Sequence, residues 1–260
     1  MVNETANVPK TVETGSGSGG TTTIDWTTYR FPSQLIYREA AKICTLEKRG
    51  SVYILTLTGN HDHRLNPTLV DSISSALHRI RSETTASHSP GAALITTGEG
   101  KYFSNGGDIS WVDSNKDRLI FMISKVRSLL TDLMSLPMPT IAALNGHAVG
   151  QGYILALCHD YVLMRKDRGF LYMSGLDIGE VLPTPFFKAT LEAKVSSRAV
   201  LRDIVLRAEK MTAEKAVEKG IIDAAYDSAE ATVEAAVELG GQLARRKWNG
   251  QVYAENRKIC

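Results

Sequence analysis

Short apolar runs alternate with amphipathic stretches along most of the chain. The runs Ala92 to Thr97 and Thr140 to Leu144 are almost continuously apolar, as is typical of strands buried on both faces. The segments Cys44 to Lys48 and Ser51 to Thr58 instead alternate between apolar and polar positions, which predicts a half-buried hairpin that turns at Gly50. Strands of both kinds separated by helical stretches predict an α/β fold.

The helical stretches show apolar residues at intervals of three and four. The clearest are Asn66 to Arg81, whose Pro67 suits a first helical turn, and Lys116 to Ser135, which ends at two prolines. The other predicted elements are a short helix at 151–157, a strand at 160–164 and helices at 185–194, 197–207, 212–219 and 228–247. Strand-helix units followed by helices alone predict an α/β core with appended helices.

The first 41 residues have a different composition from the rest. A run of Gly, Ser and Thr from Gly15 to Thr23 predicts a flexible leader at 1–41, although its later aromatic residues leave open a second arrangement in which they pack on the domain. The leader carries acidic residues and few arginines, which argues against an organelle transit peptide. We therefore predict a core at 42–194 and a C-terminal helical region, which would mediate oligomerisation, at 195–260.

Composition excludes several functional classes. The 260 residues are 43% hydrophobic and 22% charged, enough to bury one sizeable core, and the formal net charge of +2 gives no reason to expect nucleic acid. No apolar stretch is long enough to span a bilayer, so no membrane partner is expected. Cys44, Cys158 and Cys260 lack the spacing of a metal site or redox pair, which favours a reducing compartment.

Two glycine-rich turns carry the candidate chemistry. They span Tyr102 to Ile109 and Asn145 to Gly152, and each follows a predicted buried strand and leads into a helical stretch. Glycine brings the main chain close to a ligand, and a following helix N-terminus adds partial positive charge. Either turn alone could be a tight connection only. Aimed at one oxygen, the two would form an oxyanion hole.

Ordered motifs around these turns resemble a known family. They are Phe-Ser-Asn-Gly-Gly-Asp-Ile at 103–109, Pro-Thr-Ile-Ala-Ala-Leu-Asn-Gly-His-Ala at 139–148, Gly-Gln-Gly at 150–152 and Cys-His-Asp-Tyr-Val-Leu-Met at 158–164. Together they resemble the enoyl-CoA hydratase/isomerase (crotonase) superfamily. The flanks Arg-Gly-Phe-Leu-Tyr-Met-Ser at 168–174 and Arg-Arg-Lys-Trp-Asn-Gly at 245–250 most resemble plant peroxisomal Δ3-Δ2 enoyl-CoA isomerases. The resemblance covers roughly Cys44 to Lys258.

The resemblance implies a fold, a substrate and site residues. It implies a crotonase-like spiral of ββα units whose C-terminal helices pack in a homotrimer or a dimer of trimers. The substrate would be an acyl-CoA, so that CoA is part of the substrate, with no separate cofactor and no metal. The N–H groups of Gly107 and Gln151 would be the oxyanion donors. Other residues along the thioester and CoA would be Ser104, Asn105, Gly106, Asp108, Gly150, Tyr153 and Ile154.

The main departure from the family pattern is at its proton-shuttling position. Where the family places a proton-shuttling glutamate, this chain has Gly175, and the second glutamate of the hydratases is replaced by Ile154, as is common in isomerases. If 174–178 were extended, Asp177 would share a face with Gly175 and would be a weak candidate base; a structural role is the alternative. Weaker candidates are Glu180, Tyr153 and His147. Gln151 stands where small residues are usual, so it would narrow the acyl tunnel.

Three further motifs have ordinary interpretations. His61-Asp62-His63 has metal-ligating residue types, but it lies in a polar turn and is expected to be solvated. In Cys158-His159-Asp160, adjacent helix residues diverge and cannot form a nucleophile relay, so we expect a buried cysteine and a helix-end histidine. The glycine spacing at 146–152 does not match a dinucleotide fingerprint.

Two function classes stay open at this point. One is an acyl-CoA-processing enzyme, either an isomerase or one whose altered site performs related enolate chemistry such as hydration, lyase-type cleavage or cyclisation. The other is a non-catalytic or disabled protein that retains CoA binding. The plant relatives usually end in a peroxisomal Ser-Lys-Leu-like tripeptide, whereas this sequence ends at Cys260. This predicts a cytoplasmic location, with peroxisomal import through a partner as the alternative.

Overall fold

The computed structural model describes residues 11–12, 23–24, 43–59, 62–86, 91–181 and 185–259. The chain divides into two compact units, Met1–Ala40 and Ala41–Cys260. In the first unit, strand β1 (Thr11–Val12) pairs antiparallel with β2 (Thr23–Ile24). Of the Gly/Ser/Thr run that predicted a flexible leader, residues 15–22 lie outside the described residues and Thr23 belongs to β2.

The described part of the second unit begins with pairs of strands separated by helices and ends mostly in helices. Its strands are β3 (Cys44–Arg49), β4 (Val52–Leu57), β5 (Ala93–Gly98), β6 (Tyr102–Ser104), β7 (Thr140–Leu144), β8 (His147–Val149), β9 (Tyr161–Arg165), β10 (Leu171–Tyr172) and β11 (Ala224–Tyr226). Its helices are α1 (Pro67–Ala86), α2 (Ile109–Val112), α3 (Lys116–Met134), α4 (Gln151–Leu157), α5 (Pro185–Lys194), α6 (Arg198–Leu206), α7 (Ala213–Glu218), α8 (Ala229–Ala244) and α9 (Gly250–Arg257).

These strands form two sheets that the chain visits in turn. The larger has the order β11-β9-β7-β5-β4-β3 and is parallel except for the β3-β4 hairpin, and the smaller is the parallel sheet β10-β8-β6. Strands β5, β7 and β9 of the large sheet are each followed by one strand of the small sheet. Helices follow β6 and β8, so the chain spirals through ββα units as the sequence resemblance implies.

The large sheet is covered on both faces. On one side, α1 and α3 contribute Ile73, Leu77, Val126 and Leu130 to the main core cluster. On the other, α8 places Ala236 on a second cluster of strand residues, and a Cβ on Gly240 would lie in ordinary van der Waals contact with Ala93 and Ile141. Strand β4 is buried on both faces because its residues pack alternately into the main core cluster and into the cluster under α8, so only the β3 half of the hairpin is half-exposed as predicted.

Several element predictions need correction. Helix α1 continues past Arg81 to Ala86, where the hydroxyl groups of Ser82, Thr84 and Thr85 donate to carbonyls of the preceding turn. The sequence pattern did not predict the short strands β6, β8, β10 and β11, because two or three residues are too few to show alternating apolar and polar positions. Helix α9 was missed because it has little apolar periodicity. None of the helices in the described ranges is long and apolar enough to cross a membrane.

A buried ion pair fixes the C-terminal helix to the sheet. Arg257 on α9 donates to Asp160 from Nε at 2.6 Å and from Nη2 at 2.8 Å, and Nη1 donates to the carbonyls of Met134 and Leu136. Asp160 also accepts from the backbone N–H of Thr140 at 2.8 Å. Both charged side chains are nearly buried, with exposures of 5% and 12%. This pair therefore joins α9, the segment before β7 and the start of β9.

Removing the arginine should destabilise the protein strongly. In an Arg257→Leu variant, Asp160 would stay largely buried without its cation, and breaking a buried pair typically costs about 3 kcal/mol or more. Urea unfolding would measure the loss. Arg49→Leu, which removes an exposed pair with Glu47, is the matched control and should change stability little. Equal effects of the two variants would contradict this expectation.

Candidate functional site

The two glycine-rich turns meet at the carboxyl ends of β5 and β7. A Cβ on Gly106 would lie 2.6 Å from the carbonyl oxygen of Val149, and a Cβ on Gly152 would collide with the carbonyl oxygen of Ser104. Both distances are shorter than van der Waals contact, so the two main chains touch at positions that exclude any side chain. The small sheet holds this arrangement, because β6 and β8 pair directly.

The proposed oxyanion donors lie at this meeting point. The nitrogen of Gln151 is 3.3 Å from the position of a Cβ on Gly106, the residue before Gly107. Gln151 is the first residue of α4, so its N–H has no acceptor within the helix. Among the described residues, neither the N–H of Gly107 nor that of Gln151 donates a hydrogen bond. Two unpaired backbone donors therefore lie on adjoining segments.

The segment before α1 supports the first turn. Leu65 donates its N–H to Gly106 O at 2.7 Å, and Ser104 Oγ donates to His63 O at 2.7 Å. The His63 ring lies beneath the turn, with Nδ1 2.9 Å from Tyr102 O. His63 is only 2% exposed, so the predicted solvated turn is wrong for this residue, because the loop packs against the first glycine turn. His61 lies outside the described residues.

The polar side chains of the first turn already have structural partners. Asp108 caps α2 by accepting from Trp111 N at 3.1 Å, and it accepts from Asn66 Nδ2 at 3.2 Å. The N–H of Asn105 donates to Asp62 O at 2.8 Å. These contacts fix the loop. Contact of Ser104, Asn105, Gly106 and Asp108 with CoA stays a prediction.

The side chain of Gln151 folds over Gly107. Its Oε1 and Cδ atoms lie 3.2 and 3.3 Å from the position that a Cβ on Gly107 would take. The Oε1 atom is buried and has no hydrogen-bond partner among the described residues. Gln151 thus places both a backbone donor and a carboxamide beside the first turn.

Gly175 lies on the segment that borders the second turn. Gly150 donates its N–H to Tyr172 O at 2.8 Å, and Ser174 Oγ is 3.7 Å from the position of a Cβ on Gly150. Gly175 itself has helical dihedrals, which any residue adopts. A Cβ there would, however, lie 2.8 Å from Glu180 O, because the chain turns back at this point. A side chain at this position requires that turn to shift.

The geometry assumed for Asp177 is wrong. Residues Leu176–Ile178 form a 3-10 turn instead of an extended segment. Side chains do not alternate between two faces in such a turn, so the argument that placed Asp177 on the face of Gly175 does not apply. Its carboxylate is exposed and accepts a hydrogen bond from the hydroxyl of Tyr172. That bond raises the pKa of Tyr172 to about 12. The contact agrees with the structural alternative for Asp177.

The remaining candidates differ in exposure. Tyr153 is 1% exposed, burial raises its pKa, and its hydroxyl has no partner among the described residues. Ile154 beside it is also buried. His147 is half-buried against the ring of Phe170, at 4.0 Å between centroids, and burial and then nearby cations lower its pKa. Glu180 is exposed.

The Cys158-His159 pair is structural, as predicted. Burial raises the pKa of the Cys158 thiol to about 12, which keeps it protonated and unreactive. The His159 ring is buried between Leu155 O, 2.9 Å from Nδ1, and Thr96 Oγ1, 2.8 Å from Nε2. Burial lowers its pKa to about 4. His159 therefore links α4 to β5 as a neutral ring.

Metal-type side-chain clusters are absent from the described residues, and a cavity in the described structure lies away from the glycine turns. Within the described ranges, no three His, Cys, Asp or Glu side chains are grouped so that they could hold a metal ion. A cavity of about 620 Å³ does occur, but it is lined by Arg81, Pro139, Lys247 and Trp248. It lies at the amino end of β7, whereas the glycine turns lie at the carboxyl end.

The buried state of His159 predicts a pH dependence of stability. The unfolded histidine binds a proton near pH 6.5, whereas the folded one does so only near pH 4. Between these values the unfolded state holds more protons, so stability falls as pH falls, by about 2 kcal/mol between pH 7 and pH 5. Urea unfolding at both pH values would measure this loss.

A His159→Gln variant should lose much of this pH dependence, although it is less stable at pH 7. His78→Gln, which changes an exposed histidine, should retain the dependence of the unchanged protein. The same pH dependence in both variants would show that His159 is not responsible.

Comparisons with known proteins match this architecture. The profile of the enoyl-CoA hydratase/isomerase family matches residues 47–254. The chain is 52% identical over 216 residues to enoyl-CoA delta isomerase 1, peroxisomal, of Arabidopsis thaliana, covering 83% of this chain and 88% of that protein. It is 51% identical over 222 residues to enoyl-CoA delta isomerase 3 of the same plant, covering 83% and 91%.

Solved structures agree on the fold. The apo structure of an enoyl-CoA isomerase of Mycobacterium tuberculosis superposes with a TM-score of 0.73 over 83% of this chain and 89% of that one. The sequence identity is 21%, so this similarity establishes the fold alone. The predicted crotonase-like α/β fold is thereby confirmed.

Proposed function

The chain belongs to the enoyl-CoA hydratase/isomerase family, and on this basis we propose that it binds acyl-CoA thioesters and stabilises their enolates. The observation that carries the proposal is the pair of unpaired N–H groups, of Gly107 and Gln151, where the two glycine turns touch. Both amides follow the paired strands β6 and β8, and that of Gln151 begins α4, so we expect their orientation to be set before the ligand binds. The substrate is the acyl-CoA itself, and the proposal requires no separate cofactor.

Enolate chemistry explains why this arrangement matters. When a 3-enoyl thioester isomerises, a proton leaves C2, negative charge moves to the thioester oxygen, and a proton then returns at C4 as the double bond becomes conjugated. Hydrogen bonds from Gly107 and Gln151 strengthen as that charge develops. Each such donor typically lowers the barrier by about 3 to 4 kcal/mol.

Proton transfer is the step that this site supports poorly. Gly175 supplies no acid or base where the family pattern has a glutamate, and Asp177 is bound to Tyr172. The proton would then exchange with water, or the site would serve a related enolate reaction such as hydration, cleavage or cyclisation. A positioned base contributes about 10² to 10⁴ in rate. We therefore propose that isomerisation by this protein is limited by proton transfer and not by binding.

Restoring the carboxylate tests this directly. Gly175→Glu should raise kcat for a 3-enoyl-CoA by about 10² or more, the low end of what a positioned base supplies, while the dissociation constant changes little. Gly175→Gln is the matched control, because it imposes the same crowding against Glu180 O without a base. Stopped-flow absorbance of the conjugated product would measure kcat.

Three results distinguish the alternatives. A higher kcat in Gly175→Glu, with no such increase in Gly175→Gln, supports the proposal. Vigorous isomerisation by the unchanged protein would refute it and point to a relocated base. Failure of every form to bind an acyl-CoA would refute the acyl-CoA proposal itself.

A non-catalytic acyl-CoA-binding protein is the second candidate. The observation that favours it is the turn from Gly175 to Glu180, which closes to 2.8 Å from the position of a side chain at 175. A side chain at 175 therefore fits only if this turn shifts. Tight binding with no turnover in both the unchanged protein and Gly175→Glu would favour this candidate.

We propose a homotrimer, or a dimer of trimers, as the assembly. The wide apolar arc of α8 does not by itself require a partner, because Val233, Val237 and Leu243 pack against the protein's own sheet. Support comes instead from Leu176 and Val181, which follow Gly175 and are 55% and 85% exposed. Partner subunits would cover these side chains.

Light scattering at micromolar concentration tests the assembly. We expect a trimeric or hexameric mass, and a lower mass after Leu176→Glu, because a charge at an apolar contact opposes association. Lys188→Glu, another charge change at an exposed position, should leave the mass unchanged. A monomer in the unchanged protein would refute the proposal.

We propose a peroxisomal location in place of the cytoplasmic one that the sequence alone favoured. The support is the similarity to an Arabidopsis isomerase that is named as peroxisomal. Fluorescence microscopy of the tagged protein beside a peroxisomal marker would test it.

A further inference from the structure

The peptide between Gly106 and Gly107 has little conformational preference of its own. Both residues are glycines, which lack the side chain that restricts the backbone elsewhere, and Gly106 has a φ of 77°. The N–H of Gly107 is one of the two donors in the proposed function, and such a donor acts only when it is aimed at the position of the charged oxygen. The direction of this peptide must therefore be set by its neighbours.

Leu65 sets that direction through its main chain. Its N–H donates to Gly106 O at 2.7 Å, its carbonyl accepts from Asp108 N at 3.1 Å, and it forms a parallel bridge with Gly107. In a planar trans peptide the C=O and the N–H point in opposite directions. Because Gly106 O faces Leu65, the N–H of Gly107 faces away from it.

The ring of His63 holds the segment that carries Leu65. Its Nδ1 atom lies 2.9 Å from Tyr102 O and 3.2 Å from Phe103 O. Carbonyl oxygens only accept hydrogen bonds, so Nδ1 carries the proton and donates to β6, the strand that leads into the first glycine turn. The main chain adds a second attachment, because His63 O accepts from Ser104 Oγ at 2.7 Å. The loop before α1 is thus fixed to β6 two residues before Leu65.

The carbonyl of Tyr102 also joins this loop to the second glycine turn. Asn145, the first residue of that turn, donates from Nδ2 to Tyr102 O at 3.2 Å and to Gly100 O at 3.1 Å. The His63 ring also borders the end of β5, where a Cβ on Gly98 would lie 3.1 Å from Cε1. The ring therefore lies where the two sheets and both glycine turns meet, and it is only 2% exposed.

We propose that His63 is a positioning residue for the oxyanion pair, because its Nδ1–H bond to Tyr102 O keeps Leu65 in register with Gly106 and so aims the N–H of Gly107. The inference rests on the proposed function and deepens it, since it assigns control of the donor direction to a side chain outside both glycine turns. His63 acts through Leu65 and Gly106 and not by contact with the thioester. Loss of its bond should reduce polarisation of the thioester carbonyl more than affinity for the ligand.

Two amide side chains separate the role of Nδ1 from that of a buried polar group in general. His63→Asn places an N–H close to the position of Nδ1, whereas His63→Gln places it near that of Nε2. Asparagine also tolerates the left-handed conformation of this residue, whose φ is 44°. His63→Gly lacks the donor but adopts this φ without strain, so it separates loss of the bond from backbone strain. His78→Gln, at an exposed histidine, is the control.

Infrared difference spectroscopy of the full-length protein with bound butyryl-CoA, labelled with heavy carbon at the thioester carbonyl, measures the polarisation. Hydrogen bonds to a carbonyl oxygen weaken the C=O bond, so its stretching frequency should fall on binding to the unchanged protein. We expect His63→Asn and His78→Gln to keep this downshift and His63→Gln and His63→Gly to lose most of it. Dissociation constants from isothermal titration should change about threefold or less, because most of the ligand's contact area lies in its CoA part.

The outcomes separate this inference from the function on which it rests. A full downshift in His63→Gln and His63→Gly overturns the inference, as does its loss in His63→Asn. Loss of butyryl-CoA binding in the glutamine and glycine variants would show that the ring maintains the fold and not the direction of one N–H, which also overturns it. If the unchanged protein does not bind butyryl-CoA, or binds it with no downshift, the proposed function fails and the inference fails with it.

Discussion

The contact between two stretches of main chain organises the candidate site. At Gly106 and Gly152 the backbone of one turn lies against a carbonyl oxygen of the other, closer than any side chain allows. Strand pairing between β6 and β8 and the complete burial of α4 from Gly152 to Leu157 depend on the same close approach. The geometry of the two N–H groups is therefore set by packing of the backbone, which a change in substrate does not alter.

The function that we propose separates two contributions to catalysis that usually occur together. Charge stabilisation depends on backbone groups, and these are in place whatever the side chains are. Proton transfer depends on one side chain, and at Gly175 it is absent. Each oxyanion donor typically contributes about 3 to 4 kcal/mol and a base about 10² to 10⁴ in rate, so the function that we propose would keep much of the enolate stabilisation even without a base.

The sequence predicts the parts of the fold that are locally encoded. Buried strands β5 and β7 and the turns after them were evident because continuous apolar runs end at glycines. The small sheet was not evident from the sequence, because strands of two or three residues depend on the strands beside them and are too short to carry an apolar pattern of their own. The burial of His63 under the first turn was missed for the same reason.

The candidate site was predictable in its backbone and less so in its side chains. Motif order identified Gly107, Gln151 and Gly175, whose placement on adjoining segments is consistent with one site. The position of Asp177 was wrong because Gly179, with φ of 72°, and the helical dihedrals of Gly175 close a turn that alternation cannot foresee. The fold of the Gln151 side chain over Gly107 depends on a tertiary contact with no local signal.

The Asp160–Arg257 pair has a consequence for the order in which the protein can form. It joins positions 97 residues apart, and the same guanidinium reaches carbonyls up to 123 residues earlier, so these loops must close before the segment leading into β7 has all its partners. During synthesis that segment emerges long before Arg257 does. Until α9 is made, the nascent chain must therefore carry the loop carbonyls before β7 and the Asp160 carboxylate without their cation. Complete fixation of this segment is accordingly among the last steps available to the growing chain.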